Sequence, residues 1–191
     1  TTNEQQIASV IEQQINFTTF FDGMGEKSPK WQDPVPLMEK AGSALPFRHI
    51  RLDIPRPGTE LFADPLLEKV FYNLFDDALR YGGERMTAIH AYYRADDSVL
   101  SLIIEDDGVG IPAGDKSRIF ERGFGKNTGL GLFLTKEILA ITGITIGSEP
   151  AVALDLVTTV AGNPFYEDGK SGDSPSDHSD GVREKLQLIA Q

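Results

Sequence analysis

The sequence predicts a two-layer α/β (α+β) sandwich: a mixed, mostly antiparallel sheet carries helices on one face, and a long helix precedes it. Three observations support this fold class. Apolar and polar residues alternate over 48–54, 86–94 and 99–106, as in half-buried strands. Helical periodicity runs through 65–81 and 129–142. Because strands and helices do not alternate strictly, a doubly wound parallel sheet is disfavoured.

Composition limits the kinds of partner this chain can have. Its 191 residues suffice for one domain with appendages, and the absence of cysteine excludes disulfides and thiolate metal sites. A net charge of −11 argues against nucleic acid or an anionic membrane surface as a partner. No apolar run is long enough to span a membrane and no signal peptide is visible, so we expect a cytoplasmic location. Because the chain begins with Thr1 rather than Met, we expect it to be an excerpt of a longer protein.

An amphipathic helix is predicted over 2–22. Thr2 and Gln5 have the spacing of a capping box, and Gly23 ends the helix. Its apolar side follows a seam-like 3-4 rhythm formed by Ile7, Val10, Ile11, Gln14, Phe17 and Phe21. This seam packs either on its own domain or against a partner helix. We favour the partner helix, because a proline-rich connector follows.

The other elements follow from local signals. Asp64 is a good N-cap before Pro65, and Gly82 and Gly83 end the helix that these residues begin. The predicted elements are a short helix at 35–42, a strand at 48–54, a helix at 65–81, a hairpin of 86–94 and 99–106 with its turn at 95–97, a helical turn at 112–120, a loop at 121–128, a helix at 129–142, a strand from 144 and a strand at 152–160. A Gly, Ser, Pro and Asp-rich linker at 162–180 precedes a short amphipathic segment at 182–190.

A carboxylate ends the most apolar strand. Because side chains alternate along a strand, Asp106 falls on the same face as the apolar residues Leu100, Leu102 and Ile104. Glu105 and Asp107 point the other way. A carboxylate that faces a core is costly unless a group hydrogen-bonds it. Gly108 and Gly110 follow at once, as where the backbone approaches a ligand closely. The arrangement indicates a nucleotide pocket.

The helix 65–81 carries a polar flank beside its core stripe. The stripe consists of Leu67, Val70, Phe71, Leu74 and Ala78. At 100° per residue, Asn73, Asp77 and Arg80 fall within roughly 60° of one another on one side of it. The two oxygen-bearing side chains suit Mg²⁺, and the guanidinium would offset phosphate charge. The alternative is a solvated flank with an Asp77–Arg80 ion pair.

A second glycine pair, Gly129 and Gly131, stands with Leu130 and Leu132 where the helix 129–142 begins. Exposed N–H groups and the helix dipole favour an anion at such a position. Lys126, Asn127 and Thr128 add donors directly before it. An ordinary junction between loop and helix is the alternative.

Four segments together resemble a known family. Residues 73–81 (NLFDDALRY), 106–112 (DDGVGIP), 119–123 (IFERG) and 129–132 (GLGL) come in the order of the N, G1, F and G2 boxes. These boxes define the catalytic, ATP-binding domain of sensor histidine kinases, within the wider GHKL (Bergerat-fold) ATPases. The resemblance covers roughly 44–160. Helix 2–22 and Trp31 look like the second helix of the preceding dimerisation domain, especially in archaeal-type kinases.

The resemblance implies a division of the chain and its cofactors, ATP and Mg²⁺. The implied parts are a partial dimerisation helix (1–25), a connector (26–43), the ATP-binding domain (44–161), the linker (162–180) and a short C-terminal helix (181–191). Asp106 would accept the adenine amino group, Asn73 and Asp77 would ligate the metal, and Arg80 would meet the phosphates. Phe120 would anchor a mobile lid at 121–129, to which Lys126 or Arg122 adds charge. The implied nucleotide-binding residues are Asn73, Asp77, Arg80, Tyr81, Asp106, Gly108, Gly110, Ile111, Phe120, Lys126, Thr128, Gly129, Leu130, Gly131 and Leu132.

The chain departs from the family pattern at three points. Asp77 replaces the second N-box amide, the usual Mg²⁺ ligand. Residues 149–151 (EPA) replace the glycine-rich turn expected before the last strand. The phosphoacceptor is missing, because His49 and His90 lie on predicted strands and His178 lies in the linker.

The resemblance therefore implies a fragment of a protein-histidine kinase, a transferase of two-component signal transduction whose parent is a phosphoprotein. Its partners would be the phosphoacceptor-histidine helix of the same kinase in the dimer and a response-regulator receiver domain. A degenerate nucleotide-binding or interaction module without phosphotransfer is one alternative. Another GHKL branch, an ATP-hydrolysing clamp or a serine kinase, is the other.

Overall fold

Residues 23–96, 99–125 and 129–148, with the backbone of 152–157, are described by a computed structural model. The predicted helix 2–22, the linker 162–180, the segment 182–190 and the departure at 149–151 lie outside the described residues. The described elements are β1 (Lys30–Gln32), α1 (Pro34–Ser43), β2 (Arg51–Asp53), β3 (Leu61–Ala63), α2 (Leu67–Tyr81), β4 (Ala88–Asp96), β5 (Val99–Asp106), α3 (Gly131–Ala140), β6 (Thr145–Gly147) and β7 (Val152–Val157).

The main sheet has five strands in the order β2-β4-β5-β7-β6. Only β2 and β4 pair in parallel; the hairpin of β4 and β5 and the pairs made by β7 are antiparallel. A second sheet joins β1 to β3, with Trp31 opposite Phe62. The mixed, mostly antiparallel sheet confirms the predicted fold class, whereas the small second sheet was not predicted.

The core lies between the main sheet and the helices. Residues of all three helices pack with alternate residues of β4 and β5, including Ile89 and Leu102, and exclude water almost completely. The largest fully buried side chains are Phe71, Phe75, Met38, Leu67, Met86, Ile89, Leu102, Ile103, Ile138, Leu139 and Val70. Met38 belongs to α1, so the segment predicted as connector 26–43 contributes a helix to this core.

Three elements are shorter than their sequence patterns predict, among them the helix predicted over 129–142, which spans Gly131–Ala140. The strand predicted over 48–54 pairs only at β2, because Arg48 has a left-handed φ of 48° and Pro55 follows. Ile50 and Ile54 flank β2 and still pack against the core. The helix predicted from residue 65 begins at Leu67 with Leu66 as its N-cap residue, so the prediction of Asp64 as N-cap is wrong. Asp64 instead holds the preceding turn, in which the Leu66 N–H donates to Asp64 Oδ1 at 2.8 Å.

Asp64 joins the start of α2 to Gly25 and Gln32. Its carboxylate is buried, and its Oδ2 accepts the Gly25 N–H at 3.2 Å. The Gln32 amide donates to the carbonyls of Ala63 (2.9 Å) and Asp64 (3.1 Å). These bonds hold Gly25 and Gln32 against the residues that directly precede the N-terminus of α2.

Replacing Asp64 by Ala is expected to lower the free energy of unfolding by about 2 kcal/mol, because its buried carboxylate is lost as the acceptor of two part-buried N–H groups. Urea unfolding followed by the fluorescence of Trp31, the only tryptophan, measures the loss. Lys40→Ala, which breaks the exposed ion pair with Glu68, is the matched control and should cost under about 1 kcal/mol. Equal effects of the two substitutions would contradict this account of Asp64.

Candidate functional site

Helix α2 contacts the first turn of α3 through its polar flank. The Asn73 side chain is buried, and its Nδ2 donates to the Gly131 carbonyl at 3.1 Å and to Thr135 Oγ1 at 3.4 Å. A Cβ on Gly131 would lie 3.7 Å from Asp77 Oδ2 and 3.9 Å from Asn73 Cγ. The structure thus brings together two predicted site segments that are far apart in sequence. Thr135 was missed, because nothing in its sequence surroundings distinguishes a buried threonine in a helix.

Asp77 is a largely buried carboxylate with no hydrogen-bond donor among the described residues. Burial raises its pKa to about 6; repulsion from Asp76 adds to this, and Arg80 opposes it. Such an oxygen suits a cation, and Asn73 Oδ1, one helical turn away, also accepts no hydrogen bond from the described part of the chain. That part contains no cluster of three His, Cys, Asp or Glu side chains able to hold a metal. A cation here would take further ligands from water and phosphate, as Mg²⁺ usually does. The donor set fits Mg²⁺ on these terms.

Arg80 pairs with Asp76 rather than with Asp77. Its Nε lies 2.7 Å from Asp76 Oδ2, one helical turn away. The Asp77–Arg80 ion pair, which was the alternative to a metal and phosphate role for this flank, does not form. The pair that does form is solvent-exposed and worth under about 1 kcal/mol, so the guanidinium can leave it for a phosphate at little cost.

Asp106 is exposed, although its strand position puts it on the apolar side. The expectation of a core-facing carboxylate is wrong because β5 extends beyond the residues that the core covers. Its Oδ1 accepts the Gly108 N–H at 2.9 Å, and no described group donates to Oδ2. Gly108 has no room for a side chain, since a Cβ would lie 2.4 Å from the Gly82 carbonyl oxygen. Three exposed apolar side chains lie next to these glycines in the sequence. Tyr81 directly precedes Gly82, and Val109 and Ile111 follow Gly108.

Asp107 makes a set of bonds that sequence reasoning missed. Its Oδ1 accepts the N–H groups of Thr87 (2.7 Å) and Ala88 (2.9 Å), and its Oδ2 accepts the Thr87 hydroxyl. These bonds hold the pKa of the Asp107 carboxyl at about 2. The available signal in the sequence was the position of Asp107, a second carboxylate that stands directly before Gly108 on the polar side of the strand.

The loop before α3 is closed at its base. Residues 112–121 form consecutive turns in which the Ile119 N–H donates to the Asp115 carbonyl at 3.0 Å. Half-buried Phe120 follows, and the Gly123 N–H donates to the Gly129 carbonyl at 3.1 Å. Gly129 has a φ of 58°, and a Cβ there would lie 2.4 Å from the Phe124 carbonyl oxygen, so only glycine fits.

The remaining predicted site residues that the structure describes make no contact that assigns them a role in the site. Leu130 and Leu132 are half-buried beside Gly131, and Gly110 has a φ of 72° with open space around it. Lys126 and Thr128 lie outside the described residues.

The two described histidines do not lie on helices. His90 Nδ1 on β4 lies 3.0 Å from Asp53 Oδ2 on the neighbouring strand, and His49 precedes β2. His178 lies outside the described residues. Of the helices described, none is both long and apolar enough to pass through a bilayer.

Helix α2 thus contacts the first turn of α3 through Asn73, and the residue after its last turn, Gly82, contacts the end of β5, in a domain of the α+β class. The chain belongs to the family described as histidine kinase-, DNA gyrase B- and HSP90-like ATPase, which matches residues 63–166. The sensor protein KdpD of Escherichia coli is 33% identical over 125 residues, 58% of this chain and 14% of that protein. The histidine protein kinase SaeS of Staphylococcus epidermidis is 36% identical over 109 residues, 50% of this chain and 30% of that protein.

A solved structure agrees on the fold. The ATP-binding domain of PrrB from Mycobacterium tuberculosis superposes with a TM-score of 0.54 at 23% identity, covering 68% of this chain and 96% of that one. The chain spans less than a third of the length of the two sensor proteins it matches. Because these relatives are bacterial, they give no support to the archaeal-type resemblance.

Asp77→Asn is expected to stabilise the protein in a pH-dependent way. Because the pKa of Asp77 is about 6 in the folded state and ordinarily 3.8, the folded protein binds the proton more tightly. The contribution of this carboxyl to stability is therefore full below about pH 4 and is lost as the pH rises through about 6. The substitution should raise the free energy of unfolding by about 1–3 kcal/mol at pH 8 and by less at pH 5. Urea unfolding without metal or nucleotide measures both values, and an equal gain at the two pH values would contradict the prediction.

Proposed function

We propose that this chain is the ATP-binding part of a sensor histidine kinase, which binds ATP with Mg²⁺ and presents the γ-phosphate to a histidine outside the chain. The observation that carries the proposal is the approach of Asn73 and Asp77 to within 4 Å of a Gly131 Cβ position, where α3 begins. Family membership and the names of the relatives support the kinase reading.

Each group has a role that its chemistry suits. The Asp106 oxygen without a donor would accept the adenine amino group, and Tyr81 and Ile111 would cover the ring. The N–H groups where α3 begins would bind phosphate, assisted by Arg80. Asn73 and Asp77 would hold Mg²⁺, which supplies positive charge to the phosphates when bound. Catalysis would come mainly from positioning and charge stabilisation.

The partners belong to the same proposal. The phosphoryl group would go to a histidine on the dimerisation helix of the same kinase and then to a response-regulator receiver domain. With a net charge of −11, the chain must bind an anionic nucleotide through local groups.

Incubation with γ-labelled ATP tests the proposed function. The chain alone should stay unlabelled, and a separate dimerisation domain carrying a histidine should become labelled in its presence. ATP should bind much more tightly with Mg²⁺ than with EDTA, because Asp77 repels an uncompensated triphosphate. Asp106→Asn should weaken ATP binding, since the amide presents a donor as well as an acceptor. Labelling of the chain alone, or equal affinity with and without Mg²⁺, would contradict the proposal.

Gly131→Ala should separate folding from nucleotide binding. The added methyl group meets Asp77 and Asn73 only at ordinary contact distances, so the protein should fold with unchanged or slightly higher stability. It would, however, occupy the place where phosphate approaches, and ATP affinity should fall about tenfold or more, as for loss of an interaction worth 1.4 kcal/mol. Gly147→Ala, in open space on β6, is the matched control and should bind ATP normally. Normal ATP binding by Gly131→Ala, measured by calorimetry, would exclude this phosphate position.

A nucleotide-binding module without phosphotransfer is the second candidate. The observation that favours it is Asp77, an unpaired carboxylate where the phosphates are expected. If the wild-type chain binds ATP without transferring phosphate and Asp77→Asn gains transfer, this second candidate is favoured.

A further inference from the structure

The end of β5 is joined to the connection between α2 and β4 by more than one bond. Besides the three bonds to the Asp107 carboxylate, the Asp107 N–H donates to the Ala88 carbonyl at 3.3 Å. The Val109 N–H donates to the Gly82 carbonyl at 2.9 Å, and Gly108 packs directly on Gly82. The backbone at Asp107 is therefore fixed to the start of β4, and the backbone that follows it is fixed to the end of α2.

Asp106 lacks comparable support of its own. Its carboxylate accepts one hydrogen bond from the described residues, from the Gly108 N–H at 2.9 Å, and is otherwise exposed. The direction of this carboxylate thus depends on the backbone at 106–108. A rotation of that backbone would also move Asp107 and break its bonds to Thr87 and Ala88.

We infer that Asp107 is a positioning residue for base recognition: it fixes the strand end so that Asp106 presents its unpaired oxygen to the adenine amino group. The inference rests on the proposed ATP binding and adds to it a residue that does not touch the nucleotide. Asp107 acts through the Thr87 and Ala88 backbone, on the side of the strand opposite Asp106.

The chemistry of the bonds allows a conservative rescue. Both backbone N–H groups donate to the same oxygen, Oδ1, and only the Thr87 hydroxyl donates to Oδ2. In Asp107→Asn the amide oxygen can accept both N–H bonds, while its NH₂ group donates to a rotated Thr87 hydroxyl. Asp107→Ala removes all three bonds, and Thr87→Val removes only the bond to the hydroxyl.

The test compares ATP with purine riboside triphosphate, which lacks the amino group that Asp106 would read. Calorimetry with Mg²⁺ gives both affinities for the wild type and for Asp107→Ala, Asp107→Asn and Thr87→Val. The wild type should prefer ATP. Asp107→Ala should lose on the order of tenfold in ATP affinity, as for one charge-assisted hydrogen bond, with little change for the analogue. Asp107→Asn should restore the preference, and Thr87→Val should reduce it partly.

The outcomes separate this inference from the proposed function. If the wild type fails to bind ATP, the proposed function fails and the inference fails with it. If the wild type binds ATP but Asp107→Ala weakens both nucleotides equally, only the positioning role is overturned. If Asp107→Ala does not fold, Thr87→Val decides: an unchanged preference for ATP overturns the inference, and a reduced preference supports it.

Discussion

The hydrogen bond from the buried Asn73 amide to the Gly131 carbonyl determines where the functional site can form. A buried amide that loses its acceptor costs about 1–3 kcal/mol, so the start of α3 is held at one place along α2. The backbone at Gly131 lies beside the Asp77 carboxylate, since a Cβ there would be 3.7 Å from Asp77 Oδ2. The N-terminal N–H groups of α3 therefore lie beside two oxygen-bearing side chains, those of Asn73 and Asp77. The proposed phosphate and metal positions both follow from this one contact.

The sequence predicted the features that depend on neighbouring residues along the chain, namely the helices and the hairpin. Helical spacing placed Asn73 and Asp77 on one flank, and alternation predicted the hairpin of β4 and β5. Pairings distant in sequence, such as β1 with β3, were not predictable, since no local signal selects a partner for a three-residue strand. Alternation also gave the side on which Asp106 lies, but not how far the covering helices reach. The pairing of Arg80 with Asp76 is a choice between two acidic neighbours that helical spacing leaves open.

Four aspartates of the domain divide according to their hydrogen-bond donors. The Asp64 carboxylate accepts two N–H bonds and the Asp107 carboxylate accepts two N–H bonds and one O–H bond, and both hold segments of backbone together. Asp77 has no described donor, and Asp106 has one donor and a second oxygen without any. Carboxylates whose oxygens are occupied by the fold serve its structure. Those with unoccupied oxygens are the ones able to bind a ligand. This difference, rather than burial alone, distinguishes the candidate ligand-binding residues, because Asp64 is buried and Asp107 is exposed.

The acid at position 77 also sets how the proposed site must work. An amide there would be neutral toward a triphosphate, whereas a carboxylate repels it until a cation intervenes. The raised pKa of about 6 reflects the same situation, since burial without a donor disfavours the charged form. A cation bound between Asp77 and Asn73 would relieve both the burial of charge and the repulsion. Metal and nucleotide binding should therefore be coupled more strongly here than in a site built from two amides.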